Sequence, residues 1–322
     1  MTVRALKWLL VAASLVGAAV PCGAQDFPNR PVRIIAGFVP SSSTDIIARL
    51  MASQWSTALG QQFVVENRPG AASAIAADLV ARSPKDGHTL LVGGTVNLTT
   101  GLINPQQAFD IRRDFMPVIV VAGQPMILTV HPSVGVNSVQ ELIALAKSKP
   151  GELLYGSTGV GANPHLLTEL FSVRTGIKMT HVPYQGSPQA TTDLLAGRIH
   201  LMLSPAAAVL PHIASGALMG LASTAARRSA SVPNLPTMME AGVPDFEGTL
   251  WFAFWAPSGT PRDAIDKLSR AGNEALKSAE VKKLFETQGF DAMGGTPEEF
   301  SAFSDREIEK WGAAATAAGM RK

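Results

Sequence analysis

Short apolar runs rich in β-branched residues alternate with amphipathic stretches along most of the chain. Val32 to Phe38 is one such run. After Val39, Pro40, Ser41, Ser42, Ser43, Thr44 and Asp45 the period changes, so that Ile46, Ile47, Leu50, Met51 and Trp55 share one face of a helix closed by Gly60. Gln61 to Val65 reads as a strand, Glu66 to Gly70 as a turn, and Ala71 to Arg82 as an alanine-rich helix. The strand Thr89–Val92 ends in the polar sequence Gly93, Gly94, Thr95, Val96, Asn97. Val118–Val121 and Met126–Val130 are two β runs divided by Ala122-Gly123-Gln124-Pro125, a break at which the chain is expected to hinge and cross into a second lobe.

Ser138 and Glu141 form a capping box for the next helix. The stretch from Tyr155 to Leu167 follows. An apolar strand end (Leu153, Leu154, Tyr155) gives way to Gly156-Ser157-Thr158-Gly159-Val160-Gly161-Ala162-Asn163, and Pro164 suits a first helical turn because its missing N–H would be unpaired there. Unpaired N–H groups and the positive end of the helix dipole make such a start a place for a phosphate or carboxylate. A loop of this kind can equally well do no more than cap its own helix.

Lys178–Val182 is a strand ending in Pro183-Tyr184-Gln185-Gly186-Ser187-Pro188, before a helix over Gln189–Ala196. Ile199–Leu203 ends in Ser204-Pro205, and Leu218–Ser223 is a further strand. Thr249–Ala256 is almost wholly apolar and reads as a central strand. A helix begins near Pro261, and Thr296-Pro297-Glu298-Glu299 opens a last one. Strands alternating with helices predict an α/β protein with largely parallel sheets, whose ligands gather at the carboxyl ends of strands. A chain that leaves one lobe near residue 122 and returns near 247 makes a two-lobe molecule with a ligand cleft and two interdomain crossovers. Residues 25–122 and 247–322 would form lobe 1, and 123–246 lobe 2.

The 322 residues, 46% hydrophobic and 16% charged, fit about two domains. The first 24 residues are of another kind. Arg4 and Lys7 precede an apolar run from Trp8 to Val20, and Cys22-Gly23-Ala24 supplies small residues at both recognition positions, so a secretory signal peptide cleaved after Ala24 is expected. The run falls short of the roughly 20 residues that span a bilayer. Removing it takes two of the 27 basic residues and leaves 25 against 25 acidic ones. A mature net charge near zero gives no basis for binding nucleic acid or an anionic membrane surface. The single cysteine leaves too, so neither disulfide nor thiol chemistry is expected, and the periplasm is the expected location.

The catalytic inventory is thin. The six histidines have no metal-binding spacing, Gly156-Ser157-Thr158-Gly159 is not a nucleophile elbow, and there is neither a Walker lysine nor a G-x-G-x-x-G order. The chain therefore reads as a binder without metal or cofactor, and not as an enzyme. Ser41 to Thr44 form either a ligand-facing cradle or an N-cap cluster, and Asp45 stands where the helix dipole favours a carboxylate. His165, in the first turn of its helix, either orders the loop or contacts ligand; Tyr184 and Trp251 belong either to the core or to the cleft.

Many segments resemble, in order, the Bug receptors, the substrate-binding receptors of tripartite tricarboxylate transporters. They include Pro31 to Phe38, Thr44 to Arg49, Val64 to Gly70, Ser83 to Leu90, Arg113 to Phe115, Leu142 to Lys147, Val182 to Tyr184, Thr192 to Gly197, Leu235 to Thr237, Glu240 to Pro244, Ala256-Pro257 and Gly294 to Phe300. The resemblance runs from about Phe27 to the C-terminus. It implies a monomeric Venus-flytrap protein of the type II-like periplasmic class that closes on a small carboxylate and passes it to a membrane transporter. The carboxyl group would be held between two loops, here Pro40 to Asp45 and Ser157 to His165, with Gly159, Gly161, Ala162 and Asn163 in the second. Thr95, Asn97, Tyr184, Gln185, Gly186 and Ser204 would surround the rest.

This chain departs from that pattern where Ser41, Ser42 and Ser43 replace the usual glycines, where Gln185 replaces a frequent lysine, and where Ser204 stands near a frequent aspartate. Fewer charges imply a monocarboxylate, or an aromatic or otherwise apolar acid, rather than citrate. The same closed shape could instead report ligand to a sensor kinase.

Overall fold

A computed structural model of the chain describes residues 27–103, 108–228 and 232–317. The expected leader and Cys22 lie outside the described residues. β1 (Val32–Ala36) leads to α1 (Ser43–Leu59), which starts where Ser42 Oγ accepts the Asp45 N–H at 3.3 Å and stops at Gly60, whose φ of 69° a glycine adopts freely. β2 (Phe63–Asn67), α2 (Ala74–Ala81) and β3 (Thr89–Gly94) follow. The alanine-rich helix begins later than its composition predicts, because Ala71, Ala72 and Ser73 all have positive φ and form a left-handed turn. β3 runs directly into α3 (Thr95–Ile103), a helix in place of the predicted polar strand end.

α4 (Ile111–Asp114), β4 (Phe115–Val130), α5 (Val139–Ser148), β5 (Leu154–Ser157), α6 (Asn163–Thr175), β6 (Thr180–Pro183) and α7 (Ser187–Leu195) come next. They are succeeded by β7 (Leu201–Pro205), α8 (Ala206–Ala214), β8 (Met219–Ser223) and β9 (Thr249–Pro257). α9 (Arg262–Ala275), α10 (Ala279–Gln288), β10 (Asp291–Ala292) and α11 (Pro297–Ala317) complete the described chain. The sequence pattern did not anticipate α8 or α10.

Among the described residues the strands form one ten-stranded sheet in the order β2-β1-β3-β9-β4-β7-β5-β6, with β8 and β10 also paired to β4. Each wing is parallel: β1 pairs with β2 and β3, and β5 with β6 and β7. The centre is antiparallel, with β9 between β3 and β4 and with β7 against β4. The predicted break at Ala122 to Pro125 is absent. β4 continues through it, setting Gly123 opposite Trp251 and Pro125 opposite Thr249. Instead of ending, the strand changes neighbours: Phe115–Pro125 lies along β9, and Met126–Val130 along β7 and β8. Proline has no N–H to donate, so the change of partner at Pro125 and Met126 leaves no ladder donor stranded there.

Two lobes result, each with its own core. Ile34, Met51, Trp55 and Phe254 pack in the first, and Tyr155, Leu166, Phe171 and Phe246 in the second. Trp55 Nε1 donates to the Leu268 carbonyl at 3.1 Å, which pairs its polar edge inside the core. α11 touches both lobes. Phe300 packs on Trp251 and Trp255, Trp311 joins the second core, and Glu307 Oε2 between them accepts both Trp251 Nε1 and Trp311 Nε1 at 2.8 Å.

Candidate functional site

The cavity between the lobes is made from helix starts at the carboxyl ends of strands. From the first lobe, Ser42, Ser43 and Thr44 come from the beginning of α1, and Gly93, Gly94, Thr95 and Val96 from β3 turning into α3. From the second, Thr158, Ala162, Asn163 and Pro164 come from the loop after β5 and the first turn of α6. Ser187 opens α7, and Pro205 directly precedes α8. Phe38, Leu250, Trp251 and Phe252 supply the apolar remainder of the wall.

The first N–H groups of a helix have no partner inside it and sit at the positive end of its dipole. The wall therefore favours an anion although, among the described residues, no charged side chain lines it. The cavity volume is about 50 Å³, more than one ordered water requires. The lobes already meet around this space. Phe38 and Val96 pack against Ala162 with Ala72 alongside, and Thr99 Oγ1 donates to the Gly161 carbonyl at 3.0 Å.

Several polar atoms at this place are buried without a hydrogen-bond partner: Ser43 Oγ, Thr95 Oγ1, and both Oδ1 and Nδ2 of Asn163. Folded proteins keep few such groups. Here they come from both lobes and stand on one cavity.

The structure assigns other duties to several residues singled out from sequence. Ser41 is exposed at φ 65°, and its N–H donates to Asp45 Oδ2 at 2.9 Å. The Asp45 carboxylate also accepts from Arg49 Nε at 3.0 Å and Asn67 Nδ2 at 2.9 Å. Burial works to raise its pKa, but these hydrogen bonds outweigh it and hold the group below the usual carboxylate range. Asp45 thus organises the α1 start. Asn97 Oδ1 accepts the Gly94 N–H at 3.0 Å while its Nδ2 donates to Ser73 Oγ at 3.3 Å, so it braces the β3–α3 join.

Ser157 also turns away from the cavity. Its Oγ donates to the Gly159 carbonyl at 3.1 Å, accepts the Gly159 N–H at 3.2 Å and lies 2.6 Å from His181 Nε2. His165 Nδ1 accepts the Gly161 N–H at 3.1 Å, so this histidine orders the loop. Tyr184 donates to Asp193 Oδ2 at 2.9 Å, and burial together with that bond pushes its phenol up to about 12. Gln185 is exposed and, with Gly159 and Tyr184, edges a second hollow at the Ala71–Ala72 turn. Gly186 caps α7 where a Cβ would meet Val39 Cγ2 at 2.9 Å. Ser204 is buried with its hydroxyl unpaired, one residue before Pro205 on the wall.

Of the predicted site, Ser42, Ser43, Thr44, Thr95, Thr158, Ala162 and Asn163 come together on the cavity. Sequence reasoning missed Phe38, Val96, Leu250 and Phe252, whose apolar side chains look like core in any one-dimensional pattern. Ser187 carried a usable signal: a serine following Gly186 at a strand-to-helix turn, the same grammar as the other helix starts. Trp251 lies on the wall, but Glu307 holds its indole N–H, so it offers a ring and no donor.

A two-lobe α/β fold closing on a cleft of helix starts is that of a solute-binding protein. The pattern of the tripartite tricarboxylate transporter family receptors (TctC) matches residues 47–320, and the chain belongs to that family. It is 39% identical over 310 residues to the protein BugT of Bordetella pertussis, covering 96% of this chain and 95% of that one. The solved structure of Rpa4515 from R. palustris with adipate matches with a TM-score of 0.88 at 38% identity, over 91% of this chain and 99% of the other. MatC (Rpa3494) from Rhodopseudomonas palustris with bound malate matches with a TM-score of 0.85 at 27% identity, over 89% and 99% respectively. The family is one of transporter receptors, and these two solved relatives hold adipate and malate.

Proposed function

We propose that this protein is exported, captures a small carboxylate between its lobes and hands it to a membrane transporter of the tripartite tricarboxylate type. One observation carries the reading: Ser43, Thr95 and Asn163, each with a buried polar atom left unpaired, line a cavity walled by helix N-termini and, among the described residues, free of charged side chains. Helix starts can hold a carboxylate without a basic residue, and the unpaired hydroxyls and amide supply further donors. Lobe boundaries near residues 122 and 247 fit the reading, since β4 changes neighbours close to the first of them.

The apolar part of the wall favours an acid with one carboxylate and an aliphatic or aromatic remainder over citrate. Three carboxylates on one small ligand would need more counter-charge than this wall offers. Calorimetric titration with monocarboxylates, adipate, malate and citrate tests the reading. Binding of monocarboxylates is expected, and tight binding of citrate with none of any monocarboxylate would overturn the choice. Loss of uptake of the bound acid in cells lacking the protein tests the transport role; unchanged uptake would refute it.

A further inference from the structure

Asn163 is the first residue of α6, 1% exposed, and lies on the cavity wall with neither end of its amide paired. The two ends make different demands. Nδ2 is a donor, and a carboxylate oxygen satisfies it. Oδ1 is an acceptor only, and a carboxylate, which has no proton to give, leaves it empty. A ligand that pairs both ends of this amide directly brings a donor as well as an anion.

The chemistry of that donor is narrowed by what surrounds it. An ammonium group would need an acidic partner, and among the described residues no Asp or Glu lines the cavity. A neutral hydroxyl meets the demand at no electrostatic cost, and it can also accept from Nδ2. Ser43 and Thr95 carry hydroxyls that can rotate to donate to the carboxylate.

We propose that Asn163 is a specificity-determining residue that selects hydroxy acids over the same acids lacking the hydroxyl. The inference rests on the carboxylate reading above and goes beyond it by naming the second group on the ligand.

Matched pairs of acids test it on the full chain by calorimetry: lactate and propionate, 3-hydroxybutyrate and butyrate, mandelate and phenylacetate, malate and succinate. In at least one pair the hydroxy acid is expected to bind about tenfold tighter or better, the size that follows from leaving one buried acceptor unpaired. Asn163→Leu should shrink that ratio to about twofold or less, and Asn163→Ser, which keeps a group that both donates and accepts, should restore part of it. Without ligand, Asn163→Leu should melt no lower than the wild type, because it removes two unpaired polar atoms. Equal or weaker binding of the hydroxy acid in every pair, or a preference that survives in Asn163→Leu, overturns the inference and leaves carboxylate binding intact. A lower melting point for unliganded Asn163→Leu assigns the amide to the fold and also overturns it. If no acid in either series binds, the carboxylate reading itself has failed, and this inference falls with it.

Discussion

The imidazoles of His165 and His181 lie face to face, their centroids 4.0 Å apart and their planes within 12°. Each holds the loop that precedes α6, His165 through the Gly161 N–H and His181 through Ser157 Oγ. Burial pushes both rings down to about 4; His165 adds to the shift of His181, and Glu169 opposes it. Both are therefore neutral at neutral pH.

The first prediction concerns pH. An unfolded histidine takes up its proton near 6.5, while these two resist it until about 4, so the unfolded state binds more protons across that interval. Their contribution to stability is complete above about pH 6.5, is lost as the pH falls towards 4, and changes no further below. Urea unfolding midpoints should therefore fall over this range, and the His165→Gln/His181→Gln double variant should show a shallower fall. An equally steep fall in the variant would clear the pair of this role.

Ser157 and Thr158 are adjacent but should separate on substitution. Ser157 makes its contacts within the loop and to His181, so Ser157→Ala should lower stability by about 1–2 kcal/mol. Thr158 lines the cavity, so Thr158→Ala should weaken ligand binding with little change in unfolding. Thermal melts and titrations on both variants check this, and the opposite assignment would reverse their places in the site.

Ser41 is a non-glycine residue at φ 65°, with its side chain exposed and its N–H on Asp45. A glycine takes this conformation without a Cβ clash, so Ser41→Gly should stabilise the fold by about 1 kcal/mol, less the entropy glycine adds to the unfolded chain. Denaturant titration reads the change. A clear loss of stability would mean that the serine side chain contributes something the geometry does not reveal.

Gly94 has no such freedom in the other direction. A Cβ there would lie 1.9 Å from the Trp251 carbonyl oxygen, backbone against backbone across the β3–β9 pair. Gly94→Ala must part these strands or fail to fold, and a loss of about 3 kcal/mol or more in urea unfolding is expected. Native-like stability in that variant would refute the close approach.

Most of the frame was legible in the chain. An α1 cap within the Ser41 to Thr44 cluster, which falls to Ser42, the stop at Gly60 and the box at Thr296 and Glu299 appear where the local signals put them. The illegible parts have physical reasons. Ala122 to Pro125 reads as a break because glycine and proline end most strands, yet β9 and β10 lie alongside and keep it extended. Thr95 opens a helix with no loop residue before it, so there was no punctuation to read. Asp45, Asn97 and Ser157 stand in sequence beside residues that reach the cavity, and only the fold reveals that their polar atoms are spent on the loops themselves. Phe38 and Leu250 were invisible as site residues because a cleft wall and a core use the same side chains.

Native mass spectrometry of the gently purified protein, alone and after incubation with the acid panel, tests carboxylate capture most directly. The expected result is one organic-acid adduct per chain, retained by wild type and lost from the Ser43→Ala/Thr95→Val double variant, whose unliganded melting point stays at or above that of wild type. No adduct with any acid, or an adduct that the double variant keeps undiminished, would contradict the assignment of this cavity as the binding site.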